Sequence, residues 1–144
     1  MSGWLLDTNV VSELRRPKPD KRVIAFLDSQ PVDELFVSCI TYAEIRFGID
    51  IIADATKRSA LADWLSHKIR PQFAERVLNI DEDIMLCWRL MVEEGKKTRR
   101  TFSQPDLIIA ATAVVHGLTV VTRNTGDFKV SRVAVFNPWT QTLP

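Results

Sequence analysis

Short apolar runs alternate with stretches of helical periodicity along almost the whole chain, and this alternation restricts the available architectures more than any other feature. Trp4-Leu5-Leu6, Leu35-Phe36-Val37, Val77-Leu78-Asn79-Ile80, Leu118-Thr119-Val120-Val121 and Val133-Ala134-Val135-Phe136 read as five short buried strands. Helical faces lie between them. Asp7-Thr8-Asn9 supplies N-cap chemistry for a short helix carrying Val10, Val11 and Leu14, which Arg16-Pro17-Lys18-Pro19 breaks. A second helix over 20–29 buries Val23, Ile24, Phe26 and Leu27. A third, from 40 to about 53, carries Ala43, Phe47, Ile51 and Ile52 on related faces. Gly48 lies inside it, costing about 1 kcal/mol relative to Ala, which predicts a close helix contact at that point. A long helix over roughly 56–73 presents Leu61, Trp64, Leu65 and Ile69, and Pro71 predicts a kink or an early stop. Asp81 caps a helix with Ile84, Cys87, Trp88 and Met91 inward, ending at about 94 with Gly95 as its terminator. A very apolar helix over 105–116 closes on Gly117.

Strands alternating with helices predict a parallel sheet covered on both faces. One α/β/α domain over residues 1–144 is the expected organisation, with no internal repeat, low-complexity segment or linker. With 46% apolar residues the chain can bury a core, and a net charge of +1 excludes the composition of a disordered chain. The near-neutral balance is not that of a pure nucleic-acid binder, although an acidic site would cancel a local basic patch in the total. The two cysteines, Cys39 and Cys87, have neither metal-finger nor C-x-x-C spacing and read as small buried residues of a reducing compartment. No apolar run approaches a bilayer span and no signal peptide is evident, so a cytoplasmic protein is expected.

Ligands of an open parallel sheet bind beyond the carboxyl ends of its strands. Asp7 directly follows the first strand, Glu44 lies about two helical turns after the second, and Asp127 lies in the loop after the fourth. Asp106 opens the helix that feeds the fourth strand and joins them if that helix starts at the same edge. Four neighbouring carboxylates repel one another, and a divalent cation relieves the repulsion. Oxygen-only donors select hard metals, so Mg²⁺ is implied, with Mn²⁺ as a substitute. Such a cation activates water and offsets charge on a phosphate. No Ser–His–Asp, Cys–His or HExxH arrangement competes. Each acid also has a purely structural role open to it. Thr41-Tyr42-Ala43-Glu44 has the form of a capping box, and so, with Asp, does Ser103-Gln104-Pro105-Asp106. Asp7 suits an N-cap, and Asp127 a turn after Gly126.

Four segments, in order, resemble the motifs of bacterial PIN-domain toxins of the VapC type. They are Leu5-Leu6-Asp7-Thr8-Asn9-Val10, Ser38-Cys39-Ile40-Thr41-Tyr42-Ala43-Glu44-Ile45-Arg46-Phe47-Gly48, Asp106-Leu107-Ile108-Ile109-Ala110-Ala111-Thr112-Ala113 and Val121-Thr122-Arg123-Asn124-Thr125-Gly126-Asp127-Phe128. The ending Val135-Phe136-Asn137-Pro138-Trp139 is most similar to the FitB branch of that family. The resemblance implies a five-stranded parallel sheet of order 3-2-1-4-5 and Mg²⁺-dependent endoribonuclease activity within a toxin–antitoxin module. It also implies a homodimer, held by a VapB-like antitoxin whose tail fills the active-site groove and through which operator DNA is bound. It makes Asp7, Glu44 and Asp106 the main acids and metal ligands. Some relatives place the fourth acid where this chain has Asn124; an amide supplies no carboxylate, so that acid falls to Asp127. Asn9, Thr122 and Asn124 then orient ligands, water or phosphate.

Lys96, Lys97, Arg99 and Arg100 form the densest basic run, readable as a solvated loop or as an RNA-backbone contact. Arg15, Arg16 and Lys18 form a weaker one, and Arg46 is open to antitoxin, substrate or a nearby acid. His116 before Gly117 needs no catalytic explanation, and His67 offers none. Trp64 and Trp88 read as core or dimer interface, whereas Trp139 sits in a tail. Two other functional classes compete with the nuclease. One is a PIN-fold binding module acting with its antitoxin at operator DNA. The other is a haloacid-dehalogenase-like phosphatase, which would want a second Asp where the chain has Asn9.

Overall fold

The computed structural model describes residues 3–98, 104–126, 128 and 133–143. In chain order it comprises β1 (Trp4–Leu6), α1 (Thr8–Glu13), α2 (Lys21–Ser29), β2 (Leu35–Ser38), α3 (Cys39–Asp50), α4 (Ala55–Trp64), α5 (Arg70–Gln72), β3 (Val77–Leu78), α6 (Glu82–Lys97), α7 (Gln104–His116), β4 (Thr119–Val121) and β5 (Val135–Phe136). All five strands run parallel in the order β3-β2-β1-β4-β5, as the family resemblance implies.

The period of two in the strands divides the core. Leu6, Val37, Val121 and Phe136 point to one face, where Val10 and Val11 of α1, Val23 and Phe26 of α2, and Tyr42, Ile45 and Ile49 of α3 cover them. Leu5 and Val120 point to the other, under Ile109, Ala110 and Ala113 of α7. Leu5 and Leu6 are both fully buried, each contributing about 1.5–3 kcal/mol by leaving water. A strand buried on both sides has no polar alternation, which is why β1 and β4 read as continuous apolar runs.

Several helix details differ from the sequence reading. The core side of α3 is Tyr42, Ile45 and Ile49, while Ala43 is exposed and Phe47 and Ile51 are each 66% exposed. Both sets have helical spacing, so periodicity alone does not choose between them. A Cβ on Gly48 would meet nothing within 4 Å, so the expected close contact is absent among the described residues. Gly95 does not terminate α6; it is buried inside the helix, which runs on to a C-cap at Thr98. The long helix of 56–73 is helical throughout but changes pitch. Asp54 caps α4 by accepting from the amides of Thr56 and Lys57, and a π-turn over Leu65–Ile69 then leads into α5. Pro71 supplies the reason, since its ring nitrogen cannot donate and its ring crowds the carbonyl one turn earlier. Gly117, at φ 67°, ends α7 as expected.

Candidate active site

The register brings the site together. Leu6 lies opposite Val121, so Asp7 and Thr122 stand side by side, each one residue past its strand. The Asp7 amide donates to the Val121 carbonyl at 2.9 Å, and the Thr122 amide donates to the Phe136 carbonyl at 3.0 Å. The chain then turns, and Asp7 becomes the N-cap of α1, its Oδ1 accepting from the Thr8 amide at 2.8 Å. Asp7 is only 4% exposed, so its charge must be met by protein donors. Its Oδ2 accepts from the Thr122 hydroxyl at 2.8 Å and from Asn9 Nδ2 at 3.3 Å.

Thr122 is fully buried and fully used. Its single proton goes to Asp7, and its oxygen accepts from Asn9 Nδ2 at 3.2 Å and from the Asn124 amide at 3.0 Å. Asn9 completes the loop by accepting from the Arg123 amide at 3.2 Å. Asn9 and Thr122 therefore orient Asp7. Asn124 enters through its backbone, and its residue is exposed.

Glu44 reaches the same strand end from α3. Its Oε1 accepts from the Thr8 hydroxyl at 2.8 Å. The capping-box reading of Glu44 fails: the N-cap of α3 is Ser38, whose hydroxyl accepts from the Ile40 amide, and Glu44 lies beyond the first turn. Its carboxylate instead ties α3 to α1. Asp106 is half-buried in the first turn of α7, which packs against α3 and α6. Asp127 lies outside the described residues, as do Arg99, Arg100 and Ser103. Among the described residues no three His, Cys, Asp or Glu side chains are drawn together into a group able to hold a metal ion. The structure thus joins Asp7 to Glu44 through Thr8 and places Asp106 on a neighbouring helix. The donor chemistry at this edge, carboxylates with hydroxyl and amide oxygens, fits a hard divalent cation.

Two contributors escaped the sequence reading. Thr8 had a signal, its place between Asp7 and Asn9. Asn137 had one only through register: it follows β5 as Thr122 follows β4, and its Nδ2 donates to the Arg123 carbonyl at 3.3 Å. Beside it Trp139 is 4% exposed, packs in the core and lies 5.3 Å beneath the Arg123 guanidinium. The indole is therefore core material and no part of a mobile tail.

The model of the PIN domain matches residues 4–134, which include Asp7, Thr8, Glu44, Asp106 and Thr122. The chain belongs to the PIN-domain family. Toxin FitB of Neisseria gonorrhoeae is 43% identical to this PIN domain over 135 residues, covering 94% of the chain and 97% of the relative. A VapC ribonuclease, Y4jK of Sinorhizobium fredii, is 37% identical over 94% of the chain and 96% of its own length. The crystal structure of FitAcB from N. gonorrhoeae superposes on this PIN domain with a TM-score of 0.89 at 42% identity, covering 96% of the chain and 99% of its own. FitAB bound to an IR36 DNA fragment also superposes at 0.89, with 40% identity over 97% and 98% of the two chains.

Among the described residues the cations singled out in the sequence are exposed. Lys96 pairs with Glu93 at 3.4 Å on an exposed face of α6, and Lys97 is exposed near its end. Arg16 pairs with buried Glu13 at 3.4 Å. Arg46 forms no ion pair among the described residues and lines an open groove with Asp50, Ser66 and Arg70. Trp64 packs partly buried against the core, and Trp88 Nε1 donates to Gln104. No helix among the described residues is long and apolar enough to cross a membrane.

Proposed function

We propose that this PIN domain is a Mg²⁺-dependent endoribonuclease, the toxin of a VapBC-like toxin–antitoxin module, which hydrolyses RNA phosphodiester bonds and so inhibits translation and growth. The observation that carries the reading is Asp7: a carboxylate buried at the end of the central strand, held by Thr122 and Asn9 and linked through Thr8 to Glu44. That relatives are named ribonucleases supports RNA as the substrate in this reading.

In this reading Asp7, Glu44 and Asp106 hold the cation, with Asp127 as the fourth acid. Mg²⁺, or Mn²⁺ in its place, would supply a Lewis acid that lowers the pKa of water and offsets charge on the phosphate. The protein directs three donors at Asp7 and fixes its orientation through the packed Thr122. Asn9 and Thr122 hold the backbone of Arg123 and Asn124 at the start of the loop after β4. Attack of water on phosphorus then breaks one P–O bond, and the leaving ribose oxygen takes up a proton.

The partners proposed are an RNA substrate, a second copy of the chain and a VapB-like antitoxin, with operator DNA bound through the antitoxin. Solved relatives are FitAB and VapBC assemblies, some bound to DNA. Those DNA-bound assemblies favour one alternative, a catalytically weak module acting mainly at operator DNA. Mapping RNA ends after brief induction of the wild-type chain and of Asp7→Asn separates the two. The nuclease reading expects new ends and growth arrest with the wild type and neither with a folded Asp7→Asn protein. Undiminished cleavage by purified Asp7→Asn, or no Mg²⁺-dependent cleavage alongside tight operator binding, overturns it.

A further inference from the structure

We infer that Thr8 is a positioning residue for the second acid: its hydroxyl holds the Glu44 carboxylate at the strand-end site occupied by Asp7. The inference rests on the reading of these acids as a cation site. Glu44 projects from the second turn of α3 on three rotatable bonds and is half-buried. Its location along the helix therefore does not determine where its carboxylate lies. The only hydrogen bond given for that carboxylate among the described residues comes from Thr8 Oγ1, at 2.8 Å.

Thr8 is suited to the task. It is the first residue of α1, so its backbone is fixed by the Asp7 cap, and its amide donates to Asp7 Oδ1 at 2.8 Å. Its β-branch restricts rotation about χ1. One residue thereby faces both acids, Asp7 through its amide and Glu44 through its hydroxyl. A hydroxyl has one proton to give. The contact at 2.8 Å takes it, which leaves the Thr8 oxygen as acceptor toward Thr41 Oγ1, 3.4 Å away on α3. Thr8 thus stands to Glu44 as Thr122 stands to Asp7, each donating its one proton to one oxygen of an acid. Both acids keep an oxygen that these hydroxyls do not engage. Pre-placing two carboxylates before any cation arrives reduces the ordering that binding must impose.

The test measures Mn²⁺ binding by the purified full chain, counting free Mn²⁺ by electron paramagnetic resonance, together with kcat, KM for a short RNA, and melting temperature. Thr8→Val keeps the shape and removes the hydroxyl; Thr8→Ser keeps the hydroxyl. Loss of a partner behind a metal ligand costs about 10- to 100-fold in affinity or activity, so Thr8→Val should bind Mn²⁺ at least about 10-fold more weakly. Its deficit in kcat should shrink as Mn²⁺ is raised, with KM for RNA unchanged. Thr8→Ser should recover most of the affinity. In a Glu44→Gln background, adding Thr8→Val should weaken binding no further, because the two residues act as one unit. Wild-type affinity in Thr8→Val, no rescue by Thr8→Ser, or additive losses in the double variant would each overturn the role of Thr8 while leaving the metal site standing. A wild-type chain that binds no divalent cation would overturn the metal reading itself and this inference with it.

Discussion

Replacing Thr122 by Val is the sharpest test of how Asp7 is held. The two side chains are nearly isosteric, so packing changes little; what changes is hydrogen bonding. Thr122 is fully buried and Asp7 is 4% exposed, so water has little access to replace a lost donor. The Thr122–Asp7 bond, at 2.8 Å, is a hydroxyl donating to a charged acceptor, a class that contributes about 1.5–3 kcal/mol. The same substitution removes the acceptor for Asn9 Nδ2 and the Asn124 amide. Asn9 keeps Asp7 Oδ2 as a partner at 3.3 Å, and the exposed Asn124 can turn to solvent, so these donors add little. The expected loss is about 2–3 kcal/mol, read as a lower urea midpoint at unchanged m-value. Thr122→Ser, which keeps the hydroxyl, should lose well under half of that. A double-mutant cycle with Asp7→Asn should give a coupling of about 1 kcal/mol or more, since both changes remove the same charge-assisted bond. A Thr122→Val midpoint within about 0.5 kcal/mol of wild type would refute the reasoning, as would a Ser variant as unstable as Val.

Three further outcomes follow from the helices. Phe47→Ala should change the stability of the isolated chain by no more than about 0.5 kcal/mol, while Ile45→Ala on the buried side of α3 should cost about 2–5 kcal/mol; equal losses in denaturant unfolding would contradict the observed facing of α3. Gly48→Ala should stabilise by about 0.5–1 kcal/mol and raise the melting temperature, because the new Cβ meets nothing; a lower melting temperature would show a contact at that point. Burial pushes the Cys87 thiol above its ordinary range, so iodoacetamide should label it more slowly at pH 7.5 than it labels a free thiol, with the rate climbing as pH rises; equal rates by mass spectrometry would show that the thiol is not buried.

The sheet was legible because parallel strands buried on both faces carry an unambiguous signal. Leu5-Leu6 and Val120-Val121 are adjacent buried apolar pairs, one residue to each face, and both lie in strands. Helix facing was less legible. On α3 the sets Ala43/Phe47/Ile51 and Tyr42/Ile45/Ile49 both recur at helical spacing, and only the packing of α1 and α4 against α3 decides between them. Helix ends were least legible where a glycine had two meanings. Gly117 adopts a positive φ and ends α7, whereas Gly95 is buried within α6. Both are glycines near a helix end in the sequence; only the backbone conformation separates them.

The same ambiguity ran through the acids, and register resolved part of it. Asp7 fits an N-cap and a site carboxylate in the sequence; in the structure Oδ1 caps α1 while Oδ2 faces Thr122. That division of labour requires Thr122 to sit beside Asp7, more than a hundred residues away in the chain, a fact that only the pairing of β1 with β4 contains. Glu44 fitted a capping box, but the N-cap of α3 is Ser38, three residues before Thr41, and this leaves the Glu44 carboxylate to accept from Thr8. The cap of a helix satisfies its own backbone, whereas Asp7 and Glu44 each accept a hydroxyl from a different element. For Asp7 and Glu44 these bonds are what the structure adds to the motif. Asp106 rests on its motif and on its place in the first turn of α7, where the helix N-terminus favours a carboxylate whatever else it binds.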